Sequence, residues 1–209
     1  MDAYAKIFSF LWKLKKIEHQ LSLSWGNMMN NRKEFAKIPD ANLQSKFHRF
    51  NLAHQEMSHF VRNVFNYILV EVLESAWREF LDGMKGAEDL DCIILLQKKF
   101  ISNVMDKALL SENQKKLYKQ VLTLLNQIFL FTHIKDVYFY SQALKESKRV
   151  QHVQSMKAAG REHELAQEDL TFQVNQISID ELEGTYDGFQ KHFNEFYNMI
   201  EAEVSNFSC

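Results

Sequence analysis

The side chains with the most distinctive chemical spacing are Glu56 and His59, which form a Glu-x-x-His pair. A di-iron site in a helical bundle uses two such pairs on different helices, plus a glutamate from each of two further helices. None of the other seven histidines follows a glutamate by three residues, and His192 with Glu195 has the reverse order. Because half of the ligands are missing, we expect these side chains to flank an apolar stripe. We expect no metal site and no cofactor.

A second pair of carboxylates, Glu71 and Glu74, shares one helical face, as two groups for general acid–base catalysis would. The sequence places no serine, cysteine or lysine nucleophile with them at a recognisable spacing, and its six glycines form no phosphate-binding loop. We therefore expect both glutamates to lie on a solvated or partner-facing edge. The sequence predicts a protein that is not an enzyme.

The composition favours a helical protein, and it does not say what that protein binds. The 209 residues carry a formal net charge of −2, which argues against a nucleic-acid partner, since such binders need a basic face. One proline and six glycines are too few for the many turns of a sheet. The two cysteines, Cys92 and Cys209, lie far apart, so we expect reduced thiols in a cytosolic protein.

An apolar run within residues 56–77 raises the alternative of a membrane segment. Its longest uncharged piece lies between Arg62 and Glu71 and is far shorter than the roughly 20 residues that span a bilayer. The opening 16 residues have apolar side chains at helical spacing with lysines among them, unlike a signal peptide. We expect no membrane partner.

Apolar residues at steps of three and four predict five long helices. The stripes expected to pack include Phe50 in the second helix, Leu90 and Ile94 in the third, Leu117, Val121, Leu124 and Phe131 in the fourth, and Tyr186 in the fifth. The first helix is expected at 3–29, and a polar connector at 30–41 follows, with Pro39 and Asp40 before the next start. The second helix is expected at 41–83, and the third from a cap at Asp89 or Asp91 to Leu110. The fourth helix is expected to start at a capping box formed by Ser111 and Gln114, and the fifth at about 175. At about 64–73 the apolar residues surround the helix, which predicts that this part is covered on several sides.

Long helices with short connections predict an all-α fold, an elongated antiparallel helical bundle of about five long helices. We expect residues 1–209 to form one domain, with a polar flexible connector at about 157–172. The apolar periodicity is already in step at Tyr4 and still runs near the last residue, so we expect a piece of a longer chain.

The three tryptophans have the residue type most favoured at binding hot spots. Trp25 fits the apolar seam of the first helix, so we expect it in the core. Trp12 lies off that seam, and Trp77 lies beside Glu74. For both of these, burial against a neighbouring helix is expected ahead of contact with a partner.

Four stretches, in this order and at similar spacing, resemble the C-terminal half of the gamma-tubulin complex proteins: FLWKLKKIEHQLS (10–22), EMSHFVRNVFNYILVEVLESAW (56–77), AEDLDCIILLQKKFISNVMDKALL (87–110) and IKDVYFYSQALKES (134–147). The likeness covers most of residues 4–207. The opening pattern is most similar to the component 3 branch of that family through Phe10, Leu11, Trp12, Lys15, Glu18 and Leu21. The sequence stops at Cys209, before an Asp-Phe-Asn-containing segment into which the family's chain normally continues.

The resemblance implies a C-terminal helical domain that binds gamma-tubulin in the template for microtubule nucleation. The implied partners are gamma-tubulin, gamma-tubulin complex component 2 and other components, in the cytoplasm and cytoskeleton at a microtubule-organising centre, a centrosome or spindle pole body. Motif position and expected exposure give these candidate contacts: Trp12, Lys15, Arg62, Asn66, Glu71, Glu74 and Trp77. Two alternatives stay open, namely a non-enzymatic tethering or scaffold subunit of another multi-protein complex and a metal-dependent bundle enzyme.

Overall fold

A computed structural model describes residues 2–36, 41–161 and 176–207. Their α-helices are α1 (Asp2–Phe35), α2 (Ala41–Asn66), α3 (Ser75–Lys85), α4 (Leu90–Lys107), α5 (Lys115–Ile134), α6 (Ser141–Ala158) and α7 (Gln176–Phe207). Two π-helical segments, Tyr67–Glu74 and Lys135–Tyr140, join α2 to α3 and α5 to α6, and a short 3-10 helix (Glu112–Gln114) precedes α5. The described residues thus form five continuous helical stretches and contain no strand, which confirms the all-α prediction.

The chain divides into two compact units. The first unit consists of Met1–His19, Met57–Asn126 and Lys191–Cys209, and the second consists of Gln20–Glu56 and Gln127–Gln190. Helices α1, α2, α5 and α7 each contribute residues to both units.

The core of the first unit joins α1 to the helices that follow α2. Its buried members are Ile7, Val72, Ala76, Val104 and Ala108. Partly buried apolar side chains pack against this cluster, namely Leu11, Leu73, Phe100, Met105 and Leu110. The predicted apolar stripe of the fourth helix is buried here too, at Leu117, Val121 and Leu124.

The core of the second unit is rich in aromatic side chains. Phe50 and Phe131 are fully buried, and their ring centroids lie 6.3 Å apart in an edge-to-face arrangement. The ring of Tyr186 on α7 lies 6.4 Å from that of Phe131. Helical spacing had placed all three residues in predicted apolar stripes, and their burial confirms those stripes.

The first helix is longer than predicted, and the polar connector expected at 30–41 is wrong over its first half. Helix α1 continues to Phe35, which is buried. The Phe35 ring lies 4.9 Å from that of Phe47 and stacks on Tyr140 at 5.3 Å. Since burying an aromatic ring is strongly favourable, these contacts outweigh the polar local sequence. Pro39 and Asp40 lie outside the described residues.

The apolar stretch at 64–73 is not covered on several sides, so that expectation is wrong. Ile68 and Val72 are buried, but Tyr67, Leu69 and Val70 are each nearly half exposed. Most of this stretch is π-helical, with backbone hydrogen bonds that span five residues. One stripe of the segment reaches the core, and the rest of its apolar surface faces outward.

Helices α4 and α5 differ in how their N-termini are capped. Asp89, and not Asp91, caps α4, because its carboxylate accepts a hydrogen bond from the Cys92 N–H at 2.7 Å. The capping box predicted at Ser111 and Gln114 is wrong, since the Ser111 side chain makes no capping bond. Instead the Gln114 N–H donates to the Ser111 carbonyl at 3.2 Å, which closes the 3-10 turn.

Helix α6 extends to Ala158, two residues into the predicted flexible connector, and Gly160 follows with a φ of 70°. Residues 162–172 of that predicted connector lie outside the described residues. Among the helices that the structure describes, none combines the length and apolar character needed to cross a bilayer.

Candidate partner-binding surface

All seven residues that the sequence singled out as contacts lie in the first unit, and all are exposed. They come from α1, the end of α2, the first π segment and the start of α3, in the following order: Trp12 and Lys15, Arg62 and Asn66, Glu71 and Glu74, and Trp77. The structure therefore places the predicted contacts on consecutive helical segments around one core.

The α1 part of this surface presents aromatic and basic side chains. Trp12 is 62% exposed and Phe8, one turn earlier on the same side of the helix, is 68% exposed. The Lys15 ammonium lies 2.8 Å from the Glu18 carboxylate and 5.1 Å from the centre of the Phe65 ring on α2. This contact holds Lys15 beside the end of α2, where Arg62 and Asn66 are.

Trp77 belongs to a separate aromatic cluster with Phe80 and Phe100. The Trp77 ring lies 5.4 Å from Phe80 and 5.9 Å from Phe100, and 48% of the residue stays exposed. The expectation that neighbouring helices bury these tryptophans is therefore wrong for Trp12, whereas Trp77 is about half buried against Phe100 on α4. Both helices bury their other faces in the core, which leaves these indoles at the surface.

Glu71 and Glu74 lie on the exposed side of the first π segment. The Glu74 carboxylate forms an ion pair with Arg78 on the next turn, and both side chains are largely solvated. Such an exposed pair contributes at most about 1 kcal/mol to stability, so Glu74 remains available to a partner.

Glu56 and His59, the half of a di-iron motif, take part in ordinary structural contacts. In the second unit the Tyr186 hydroxyl donates to the Glu56 carboxylate at 2.7 Å, and the Gln190 amide donates to the same hydroxyl at 2.7 Å. Burial and then the Glu56 bond raise the pKa of Tyr186 to about 12. In the first unit His59 contacts the Asn63 amide at 3.2 Å. Across the described residues no three potential metal ligands are grouped together.

Sequence reasoning missed a polar cluster inside the second unit. Lys135 is fully buried in the second π segment, with its Nζ 2.7 Å from His54 Nδ1 on α2. Burial lowers the pKa of Lys135 to about 7, against the opposing effect of the neighbouring Asp136 carboxylate. Burial and then the Lys135 charge lower the pKa of His54 to about 3.

Aromatic rings and a serine lie beside these titratable groups. The Trp25 ring stacks on His54 at 5.9 Å, which places Trp25 partly in the core as expected. The Ser24 hydroxyl donates to the Asp136 carboxylate at 2.6 Å. Lys135, His54 and Ser24 are buried, so this cluster contributes to the packing of the second unit.

A further group of exposed side chains that the sequence did not single out lies on α3 and α4. Its side chains are apolar and exposed, namely Leu81, Met84, Leu90, Ile93, Ile94 and Leu95. The predicted packing of α4 through Leu90 and Ile94 is therefore wrong. One signal could have revealed it, because four consecutive apolar residues at 93–96 point in different directions around a helix and cannot all face one core.

Comparison with known proteins gives a consistent family assignment. The model of the family described as "Gamma tubulin complex component C-terminal" matches residues 1–208. The chain is 33% identical over 142 residues to "Gamma-tubulin complex component 3" of Arabidopsis thaliana, which covers 65% of this chain. It is 32% identical to the Xenopus laevis homolog over 146 residues, and 34% identical over 154 residues to "Spindle pole body component alp6" of Schizosaccharomyces pombe, each over 70% of this chain. The matches span only 16% to 18% of these relatives' lengths.

Proposed function

Because this chain belongs to the gamma tubulin complex component C-terminal family, we propose that it binds gamma-tubulin and acts in microtubule nucleation. The family match along residues 1–208 is the observation that carries this proposal. The proposed partners beyond gamma-tubulin are gamma-tubulin complex component 2 and other components of the complex. The proposed location is a microtubule-organising centre, which fits the similarity to a spindle pole body component. The role is in assembly, with no enzymatic step and no cofactor.

The surface around Trp12, Lys15, Glu71, Glu74 and Trp77 is the proposed binding site for gamma-tubulin. Interfaces concentrate their binding energy in a few aromatic and arginine side chains surrounded by polar groups. The first unit offers two exposed tryptophans with charged residues close by in the sequence. The helices that carry them are anchored in a core, so binding requires little reordering of the backbone.

The proposed mechanism is multivalent assembly. A gamma-tubulin held by one subunit lies next to those held by neighbouring subunits, which raises the effective concentration of each for the growing polymer. Moderate affinity at each single site is then sufficient for nucleation.

Reversing the charge of Glu71 and Glu74 tests this site. We expect Glu71→Lys with Glu74→Lys to weaken gamma-tubulin capture about tenfold, equivalent to about 1.4 kcal/mol, because a like-charged contact replaces an attractive one. Both side chains are exposed, so the fold is retained. Binding is measured with purified gamma-tubulin and folding by circular dichroism.

The matched control makes an equal change of charge in the second unit, at Asp180→Lys with Glu181→Lys on α7. This control is expected to keep wild-type binding. Unchanged capture by the Glu71 and Glu74 variant, or an equal loss in the control, would rule out these glutamates as contacts.

A further inference from the structure

The exposed side of α1 in the first unit combines aromatic and basic side chains. Tyr4, Phe8 and Trp12 recur at intervals of four residues, so they form one row along the helix. Lys15 and Lys16 follow Trp12 by three and four residues, so they extend this row. We define the α1 patch by five exposed residues, namely Phe8, Trp12, Lys13, Lys15 and Lys16.

The C-terminal end of the α1 patch is basic. Within residues 3–19 the one acidic residue is Glu18, and its carboxylate already pairs with the Lys15 ammonium at 2.8 Å. The same ammonium lies 5.1 Å from the centre of the Phe65 ring on α2. Arg62, three residues before Phe65 on that helix, is exposed and adds a further positive charge. The three lysines of the patch therefore outnumber the carboxylates around them.

The acidic turn before α4 lies toward the opposite end of α1. The Gln97 amide donates to the Tyr4 hydroxyl at 3.3 Å, whereas Ile7 shares a buried cluster with Val104, later on α4. Helices α1 and α4 therefore run in the same direction, and the acidic residues at 88–91 come before the level of Tyr4. The lysines of the patch follow Tyr4 by at least nine residues, which is about 14 Å or more along the helix. That separation exceeds the Debye length of about 10 Å at 0.1 M salt.

The segments next to α1 bring no excess of carboxylates to the patch. From Gln97 to Lys107, α4 carries three exposed lysines and one exposed acidic residue, Asp106. Residues 112–119 at the start of α5 carry three lysines and one acidic residue, Glu112, which forms an ion pair with one of those lysines. The surroundings of the α1 patch are thus basic on both neighbouring helices.

Building on the proposed function, we propose that the α1 patch binds an acidic segment of gamma-tubulin. An apolar side chain of that segment packs against the two exposed aromatic rings, and its carboxylates pair with Lys13 and Lys16. The first unit then presents a basic contact on α1 and an acidic contact at Glu71 and Glu74. Two contacts of opposite sign fix the orientation of the bound partner, because the reversed orientation brings like charges together.

The first test measures capture of purified gamma-tubulin after the charge of the patch is reversed. Lys13→Glu with Lys16→Glu is expected to weaken capture about tenfold, because like charges then face each other across the contact. Raising the salt from roughly 0.1 M to roughly 1 M should weaken wild-type capture and reduce the difference between the two proteins. The matched control is Lys145→Glu with Lys148→Glu on α6 in the second unit, where both lysines are exposed, and it should keep wild-type capture.

The second test removes the aromatic part of the patch. Trp12→Ala is expected to weaken capture about tenfold, as truncation of an interface tryptophan does. Its control is Phe129→Ala, since Phe129 is an exposed aromatic residue on α5 in the second unit, and this variant should bind as the wild type does. The substituted side chains are all exposed, so circular dichroism should show an unchanged fold.

Failure of this proposal can be distinguished from failure of the proposed function. A wild-type protein that captures no gamma-tubulin would refute the proposed function, and the acidic contact with it. Wild-type capture that survives Lys13→Glu with Lys16→Glu would refute the acidic contact alone. An equal loss in the Lys145 and Lys148 control would show a general effect of net charge and would also exclude the α1 patch. Binding to phosphatidylserine vesicles that the Lys13 and Lys16 variant abolishes, with unchanged capture of gamma-tubulin, would assign the patch to a membrane.

Discussion

Phe131→Ala is expected to lower the free energy of unfolding by about 3–5 kcal/mol, the range typical of a truncated buried phenylalanine. Phe131 is fully buried in α5. Its ring contacts those of Phe50 and Tyr186, and the Lys135 ammonium lies 6.0 Å from its centre. The substitution removes apolar area from the core and leaves a cavity between α2, α5 and α7, which these contacts surround.

The matched control is Phe129→Ala on the same helix. Phe129 is 42% exposed and stacks on His133 at 6.4 Å. We expect this variant to cost less than about 1 kcal/mol, because no enclosed cavity forms. Chemical denaturation followed by circular dichroism measures both values, and equal losses in the two variants would contradict the packing described for the second unit.

The helical architecture could be predicted from the sequence because the apolar periodicity extends over many turns. Phe50, Phe131 and Tyr186 all stand at positions that helical spacing assigns to a buried face, and all three are buried. The length of α1 could not be predicted in this way. The Phe35 ring packs on those of Phe47 and Tyr140. Tyr140 is far from Phe35 in the sequence, so the sequence around Phe35 gives no sign of this contact.

Exposure was harder to predict than helix location. Periodicity shows which residues share a face, but it does not show whether another segment covers that face. Trp12 and Leu90 therefore stand exposed where neighbouring helices were expected to bury them. The same limit applies to the candidate binding site, where Glu71 and Glu74 lie at the surface but their contacts with a partner stay predictions.

The buried pair of Lys135 and His54 was also beyond sequence reasoning. The two residues are 81 positions apart, and a lysine in a predicted helix is ordinarily assigned to solvent. Its burial has a measurable consequence, since a group whose pKa differs between the folded and unfolded states makes stability depend on pH.

Lys135→Met is expected to remove most of the pH dependence of stability between about pH 7 and pH 9. In the unfolded chain the pKa of a lysine is 10.5, so Lys135 carries a proton throughout this range. In the folded chain burial lowers its pKa to about 7, and the proton is lost as the pH rises. The unfolded state then binds more protons, so the wild-type free energy of unfolding should rise with pH by at most about 1.4 kcal/mol per unit.

The other titratable groups near Lys135 act outside this range. Burial and the Lys135 charge lower the pKa of His54 from 6.5 to about 3. His54 therefore lowers the free energy of unfolding progressively as the pH falls from 6.5 to about 3. Burial raises the pKa of Asp136 from 3.8, and this carboxyl affects stability in acid. Burial raises the pKa of Tyr140 above 10, so its effect begins where unfolded tyrosines ionise. The slope between pH 7 and pH 9 therefore reports mainly on Lys135.

Methionine has a similar length to lysine and no charge, so Lys135→Met fills the same space without a proton to lose. The control is Lys145→Met on α6, where the lysine is exposed, and it should keep the wild-type slope. Denaturation midpoints at several pH values in this range give the three slopes. A flat wild-type profile, or a slope that survives Lys135→Met, would show that the Lys135 ammonium is solvated, and the packing of α2 against the second π segment through His54 would then be wrong.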